Sequence, residues 1–167
     1  ISVTKAFPPS KAKYQSYVDD IFESGWLTNS GVLLKELEKR LAEYLGVKNI
    51  ILVANGSLAL QLSYKALELK GEVITTPFSF AATTSTLAWE GLTPIFADIH
   101  PDSFNIDPEL IESKITPSTS AIVPVHVFGN PCDVEAIQLI ADKHNLKVIY
   151  DAAHAFGSQY KGQSVLN

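Results

Sequence analysis

Residues 121–150 read AIVPVHVFGNPCDVEAIQLIADKHNLKVIY, and this stretch decides the fold. Two short apolar runs, Ala121 to Val127 and Lys147 to Tyr150, flank a segment from Asp133 to about Asn145 that reads as a helix. Strand, helix, strand in that order makes a parallel pair with a crossover helix. The runs are continuously apolar rather than alternating, which predicts a sheet covered by helices on both faces.

The same alternation extends upstream. Ile50-Ile51-Leu52-Val53 is a short apolar run, followed by Asn55-Gly56-Ser57 and a helix to about Leu69. Val73-Ile74-Thr75 is another, ended by Pro77 and followed by a helix from about Ser79 to Glu90. Thr93 to Ala97 reads as a further strand. Asp107-Pro108 reads as a helix start, with a capping carboxylate before proline at the first helical position. Two helices precede all of this. Tyr14, Tyr17, Val18, Ile21 and Phe22 recur at helical spacing over about residues 11–24, ending at Gly25. After a loop at Trp26–Gly31, Leu34, Leu37, Leu41, Tyr44 and Leu45 mark a second helix that stops at Gly46. The expected architecture is α/β, a mostly parallel sheet flanked by helices. Ligands of such sheets bind outside the carboxyl ends of the strands.

The whole-chain properties bound the function. With 167 residues the chain is long enough for one domain with a real core and short for two. It is 46% hydrophobic and 19% charged, an ordinary globular balance. The net charge is −5 and the basic residues are scattered, which argues against a nucleic-acid surface. A single cysteine, Cys132, excludes an internal disulfide and fits a reducing compartment. No apolar run approaches the ~18 residues of a membrane span, and the first residues do not read as a signal peptide, so a cytoplasmic location is expected. The chain starts at Ile1, has no methionine, and stops at Asn167 without a closing helix or charged tail, which reads as a sequence cut at both ends.

The segments after the strands hold the candidate chemistry. Asn55-Gly56-Ser57-Leu58 leads into a helix, where a tight turn at Gly56, free N–H groups and the Ser57 hydroxyl would suit a phosphate. Taken alone it reads more readily as a plain strand-to-helix turn with Ser57 as N-cap, and it is not a P-loop. Asp151 directly follows the run ending at Tyr150. A carboxylate there requires a partner. The nitrogen of a pyridine cofactor would serve, and so would a helix end or an ion pair. His154 lies three residues on, among small residues that would admit a flat ligand; it also reads as an ordinary core or surface histidine. Phe78 and Phe80 follow Pro77, and either is a stacking surface or core. His126 is ambiguous in the same way. The four histidines and Cys132 are too dispersed for a metal set.

Taken together in order, these segments resemble the DegT/DnrJ/EryC1/StrS aminotransferases. The similarity runs through Ser24-Gly25-Trp26-Leu27-Thr28-Asn29-Ser30-Gly31, Val53-Ala54-Asn55-Gly56-Ser57-Leu58-Ala59-Leu60 and Thr76-Pro77-Phe78-Ser79-Phe80-Ala81-Ala82-Thr83. It continues through Pro94-Ile95-Phe96-Ala97-Asp98-Ile99, Pro124-Val125-His126-Val127-Phe128-Gly129-Asn130-Pro131-Cys132-Asp133 and Asp151-Ala152-Ala153-His154-Ala155-Phe156-Gly157. Essentially the whole chain is covered. The resemblance implies the fold type I of enzymes that use pyridoxal 5'-phosphate (PLP), with residues 1–167 forming the N-terminal part of the large cofactor-binding domain. It implies that Gly56, Ser57 and Leu58 hold the cofactor phosphate, Phe80 stacks on the pyridine ring and Asp151 pairs with the ring nitrogen. His154, where many relatives carry glutamine, would sit near the ring's 3-oxygen, and Trp26 would face the substrate.

The implied reaction takes an amino group from an amino acid, usually glutamate, and places it on a keto-sugar nucleotide, a dTDP- or UDP-linked 4-keto-6-deoxy sugar being the expectation. A lysine forms the Schiff base in that chemistry and shuttles protons. In the family it lies downstream of the Asp151 motif, and none of Lys143, Lys147 or Lys161 stands in its position. No catalytic residue is therefore assigned within these 167 residues. A dehydratase of the same family would carry histidine at the lysine position; a truncated binding protein would lack the position altogether. The family builds its active site at a subunit interface, so a homodimer is expected of the complete protein.

Overall fold

The computed structural model describes residues 6–166. Ile1 and Asn167, on which the reading of cut ends rests, lie outside the described residues. The chain divides into two compact units, one ending at Tyr44 and including Lys48–Leu52, the other formed by Leu45–Val47 and everything from Val53 onward. The two buried hydrophobic clusters both lie in the second unit.

The first unit is helical. Helix α1 (Lys11–Ser24) starts at Ser10, whose hydroxyl accepts from the Lys13 N–H, and ends at Gly25 in the left-handed conformation. Helix α2 (Val32–Leu45) carries the expected leucines and is followed by Gly46 at φ 68°. Buried residues are absent from α1, and Phe22, Trp26 and Val32 are largely exposed.

The second unit holds the sheet. Helix α3 (Gly56–Ala66) leads to strand β1 (Glu72–Thr75), helix α4 (Ala81–Trp89) to β2 (Thr93–Phe96), and helix α5 (Pro108–Ile111) with a 3-10 turn to β3 (Thr119–Val123). Helix α6 (Val134–His144) then returns the chain to β4 (Lys147–Val148). The strands are ordered β2-β1-β3-β4 and every pairing is parallel. Both faces are covered, as the continuous apolar runs require. Ile74 and Ile122 pack with Ile111, Ile137 and Ala141 from α5 and α6. Val73, Ala121 and Val123 pack on the other face with Leu60, Tyr64 and Leu87 from α3 and α4. The fold is thus α/β with a parallel sheet between helical layers.

Two expectations need correction, and one element was not anticipated. Ile50–Val53 forms no strand, and Ile51 is 80% exposed. A strand exists only where a neighbour completes its hydrogen bonds, and no described segment pairs with this one. The run from Ala121 ends as a strand at Val123, because Pro124 cannot donate to a ladder. Its course continues as an isolated parallel bridge between Val125 and Asp151. Lastly, a hairpin of β5 (Gln159–Tyr160) and β6 (Gln163–Ser164) follows the sheet, turning at Lys161 and Gly162, both at positive φ. That left-handed pair suits the twist of a two-residue hairpin.

Candidate functional site

The carboxyl ends of β1, β3 and β4 open onto a cleft of about 330 Å³ lined by Phe78, Ser79, Phe80, Phe128, Asp151 and His154, among others. Each side chain arrives there by a local rule. Phe80 is the N-cap residue of α4, its side chain has no group with which to cap, and its ring is 78% exposed. Asp151 is anchored through its backbone: its N–H donates to Pro124 O at 2.9 Å and its carbonyl accepts from the His126 N–H at 3.1 Å. His154 lies with its ring parallel to Phe128 at 6.3 Å. Phe128 also meets Phe78 and Phe104 edge-on, which completes an aromatic rim.

The Asp151 carboxylate is held at both oxygens. Oδ2 accepts from Thr83 Oγ1 at 2.7 Å, and Oδ1 accepts from the Ala153 N–H at 3.2 Å. A carboxylate accepts about four hydrogen bonds, so capacity remains on each oxygen. The Thr83 hydroxyl lies 2.6 Å from Ser79 Oγ.

The supporting turn is built with equal economy. Asn105, nearly fully buried, accepts from the Val127 N–H at 2.9 Å and donates to Asn130 O and Pro131 O, both at 3.0 Å. Gly129 sits at φ +80°, and a Cβ there would stand 2.8 Å from His154 O. Only glycine permits this approach between the 127–130 turn and the segment that carries His154. His126, wholly buried, accepts the Cys132 N–H at Nδ1, 3.0 Å, and stacks on Tyr150 at 4.7 Å. Burial lowers its pKa, partly opposed by the Asp151 charge, so the ring is neutral with its proton on Nε2. That Nε2 has no partner among the described residues.

The phosphate candidates lie at the start of α3, which packs on the same sheet face as α4. Gly56 is not in a left-handed conformation, and a Cβ would meet nothing within 4 Å, so a tight turn is not what this glycine provides. The N-cap is Asn55 rather than Ser57: its side chain accepts from the Leu58 N–H at 3.0 Å. The N–H groups of Gly56 and Ser57 are left without a protein partner among the described residues. These residues do not line the aromatic cleft. Trp26 belongs to the first unit, where its Nε1 donates to Asn29 O at 2.9 Å. No group of three or more metal-ligating side chains occurs among the described residues.

Residues 8–167 match the model of the DegT/DnrJ/EryC1/StrS aminotransferase family. The chain belongs to that family. It is 52% identical over 165 residues to a dTDP-4-amino-4,6-dideoxy-D-glucose transaminase of Escherichia coli, a match covering 99% of this chain and 44% of the relative. It is 45% identical over 139 residues to a UDP-2-acetamido-2-deoxy-3-oxo-D-glucuronate aminotransferase of Pseudomonas aeruginosa, covering 82% of this chain and 39% of that one. Among solved structures, DesI in the presence of its TDP-sugar product superposes with a TM-score of 0.91 at 42% identity, over 93% of this chain and 40% of that one. NtdA from Bacillus subtilis with bound cofactor PMP superposes at 0.80 with 36% identity, over 94% and 36% of the two chains. The chain therefore spans less than half the length of the relatives it matches. Pyridoxal phosphate is the cofactor of this family.

Sequence reasoning reached Asp151, Phe80 and His154, which the fold brings to one cleft. It passed over Thr83, Ser79 and Asn105 as individual residues. Their only signal was that Ser79 and Thr83 stand inside a motif following a strand end.

Proposed function

We propose that the complete protein is a PLP-dependent sugar-nucleotide aminotransferase, moving an amino group from glutamate to a dTDP- or UDP-linked 4-keto-6-deoxy sugar. The observation that carries this reading is Asp151: a carboxylate pinned at both oxygens, with acceptor capacity to spare, at the edge of an aromatic-lined cleft. A pyridinium N–H fits that donor and acceptor pattern, and a flat ring fits between aromatic walls. When bound, PLP supplies an electron sink whose strength depends on ring protonation.

The chain's own residues have distinct tasks in this reading. Asp151 offers its carboxylate to the protonated ring nitrogen. Phe80 offers its exposed face for stacking, and His154 presents a polar ring near the 3-oxygen. The unpaired N–H groups of Gly56 and Ser57, at the positive end of α3, hold the phosphate with Leu58 beside them. Trp26 contributes to the sugar-nucleotide pocket. The Schiff-base lysine is supplied by sequence beyond these residues, and a homodimer completes the site. No described helix is long and apolar enough to cross a membrane. The setting in this reading is a cytoplasmic enzyme of surface-polysaccharide synthesis.

Amino transfer is tested with the complete protein, PLP, glutamate labelled with ¹⁵N and a dTDP-linked 4-keto-6-deoxy sugar. An amino-sugar nucleotide carrying the label supports the reading. Recovery of unlabelled keto-sugar alone, with the UDP-linked substrate equally inert, would contradict it.

A further inference from the structure

Asp151 is the visible end of a longer hydrogen-bonded chain. Thr83, in the first turn of α4 and wholly buried, has one hydroxyl proton. Its Oγ1 lies 2.7 Å from Asp151 Oδ2, and an ionised carboxylate only accepts, so the proton is committed there. The contact with Ser79 at 2.6 Å must then run the other way, with Ser79 Oγ donating to Thr83. The direction of the chain is fixed: Ser79 to Thr83 to Asp151. Each hydroxyl that accepts a bond becomes a better donor in the next, so the chain strengthens the contact on Oδ2.

Two consequences follow from this geometry. Thr83 joins α4 to a segment 68 residues away and, with the Ala153 N–H on the other oxygen, fixes the plane of the carboxylate. Ser79 lines the cleft, so the far end of the chain is open to whatever binds there.

We propose that Thr83, backed by Ser79, is the positioning residue that sets the orientation of Asp151 toward the cofactor nitrogen. The proposal rests on the reading of the cleft as the PLP site. Thr83 acts through Asp151 and touches no reacting atom. Removing its hydroxyl leaves the carboxylate free to rotate and deprives a part-buried oxygen of its donor.

The test uses the complete apo-protein, PLP labelled with ¹⁵N in the ring, and two readouts: the cofactor dissociation constant and the ring-nitrogen chemical shift. Thr83→Val, which keeps the shape and drops the hydroxyl, is expected to weaken PLP binding roughly tenfold or more and move the shift toward unprotonated nitrogen. Thr83→Ser is expected to restore both to within about threefold of wild type. Ser79→Ala, at the cleft surface, is expected to move both in the same direction by a smaller amount; it carries the test if Thr83→Val does not fold. Wild-type values in both Thr83→Val and Ser79→Ala would overturn the proposal while leaving the cofactor reading intact. A general loss of thermal stability with an unchanged nitrogen shift would also overturn it, since a structural role predicts that pattern. Absence of PLP binding in the wild-type protein would overturn both.

Discussion

At the scale of single residues, Asp151 and Cys132 show how burial and hydrogen bonding choose between chemical fates. Asp151→Asn keeps the shape but exchanges a charged acceptor for an amide. With one oxygen replaced by NH2, either Thr83 accepts from the amide and reverses its bond to Ser79, or the Ala153 N–H loses its acceptor. Turnover of the complete enzyme is expected to fall about 10²-fold with the fold retained, checked by steady-state kinetics beside circular dichroism. Near-normal turnover would remove Asp151 as the ring partner. Cys132 goes the other way. Burial pushes its thiol up to about 12, and its Sγ donates to Val125 O at 3.1 Å. A buried thiol that stays protonated is a poor nucleophile. Alkylation of the native protein by iodoacetamide at neutral pH should be slower by orders of magnitude than in urea, and equal rates would show that this part of the core opens readily.

At the scale of elements, the site depends on turns that the strands and helices only frame. The 127–130 turn is fastened by Asn105 and needs glycine at 129, where a Cβ would press on His154 O at 2.8 Å and the backbone is left-handed. Gly129→Ala is expected to cost ~1–3 kcal/mol from backbone strain alone, measured by urea unfolding of the apo-protein. It should also weaken PLP retention, because the displaced segment carries His154. An unchanged unfolding midpoint would mean that the turn is more pliable than its contacts imply. Most elements were legible in the sequence. The Asp107 cap, the helix starting at Asp133, the stop at Gly25 and the strand ending at Thr75 follow from side-chain chemistry within a few residues. The Ile50–Val53 run was misread because strand formation is not local: it takes a neighbouring ladder, which none of the described residues provides. Asn105 and Thr83 escaped notice for the same reason. Their roles are bonds across 22 and 68 residues, and nothing in a short window of sequence reports them.

At the scale of the molecule, the parallel sheet gathers Phe80, Asp151 and His154 to one end, although the first and last stand 74 positions apart in sequence. Topology thus made this end of the sheet readable from a pattern of strand ends, whereas the N-cap at Asn55 and the conformation of Gly56 are seen only in the folded chain. The same assembly buries His126 against Tyr150 and Cys132, with the Asp151 charge nearby. Its folded pKa is lowered, so the unfolded chain binds more protons once the pH drops below about 6.5. The destabilisation from this residue is absent above that value and grows as the pH falls toward the folded pKa. His126→Gln, which retains an acceptor for the Cys132 N–H, should flatten the loss of apo-protein stability between about pH 7 and 5 relative to wild type. An identical slope would show that His126 does not contribute to it.

The central claim is that the cleft at the carboxyl ends of the strands holds the cofactor ring against Asp151. The most direct test is a crystal structure of the complete protein with PLP. The account predicts the ring over Phe80 with its nitrogen about 2.6–3.0 Å from an Asp151 carboxylate oxygen, and the phosphate at the Gly56 and Ser57 N–H groups. A ring seated elsewhere, or with its nitrogen turned away from Asp151, would contradict it.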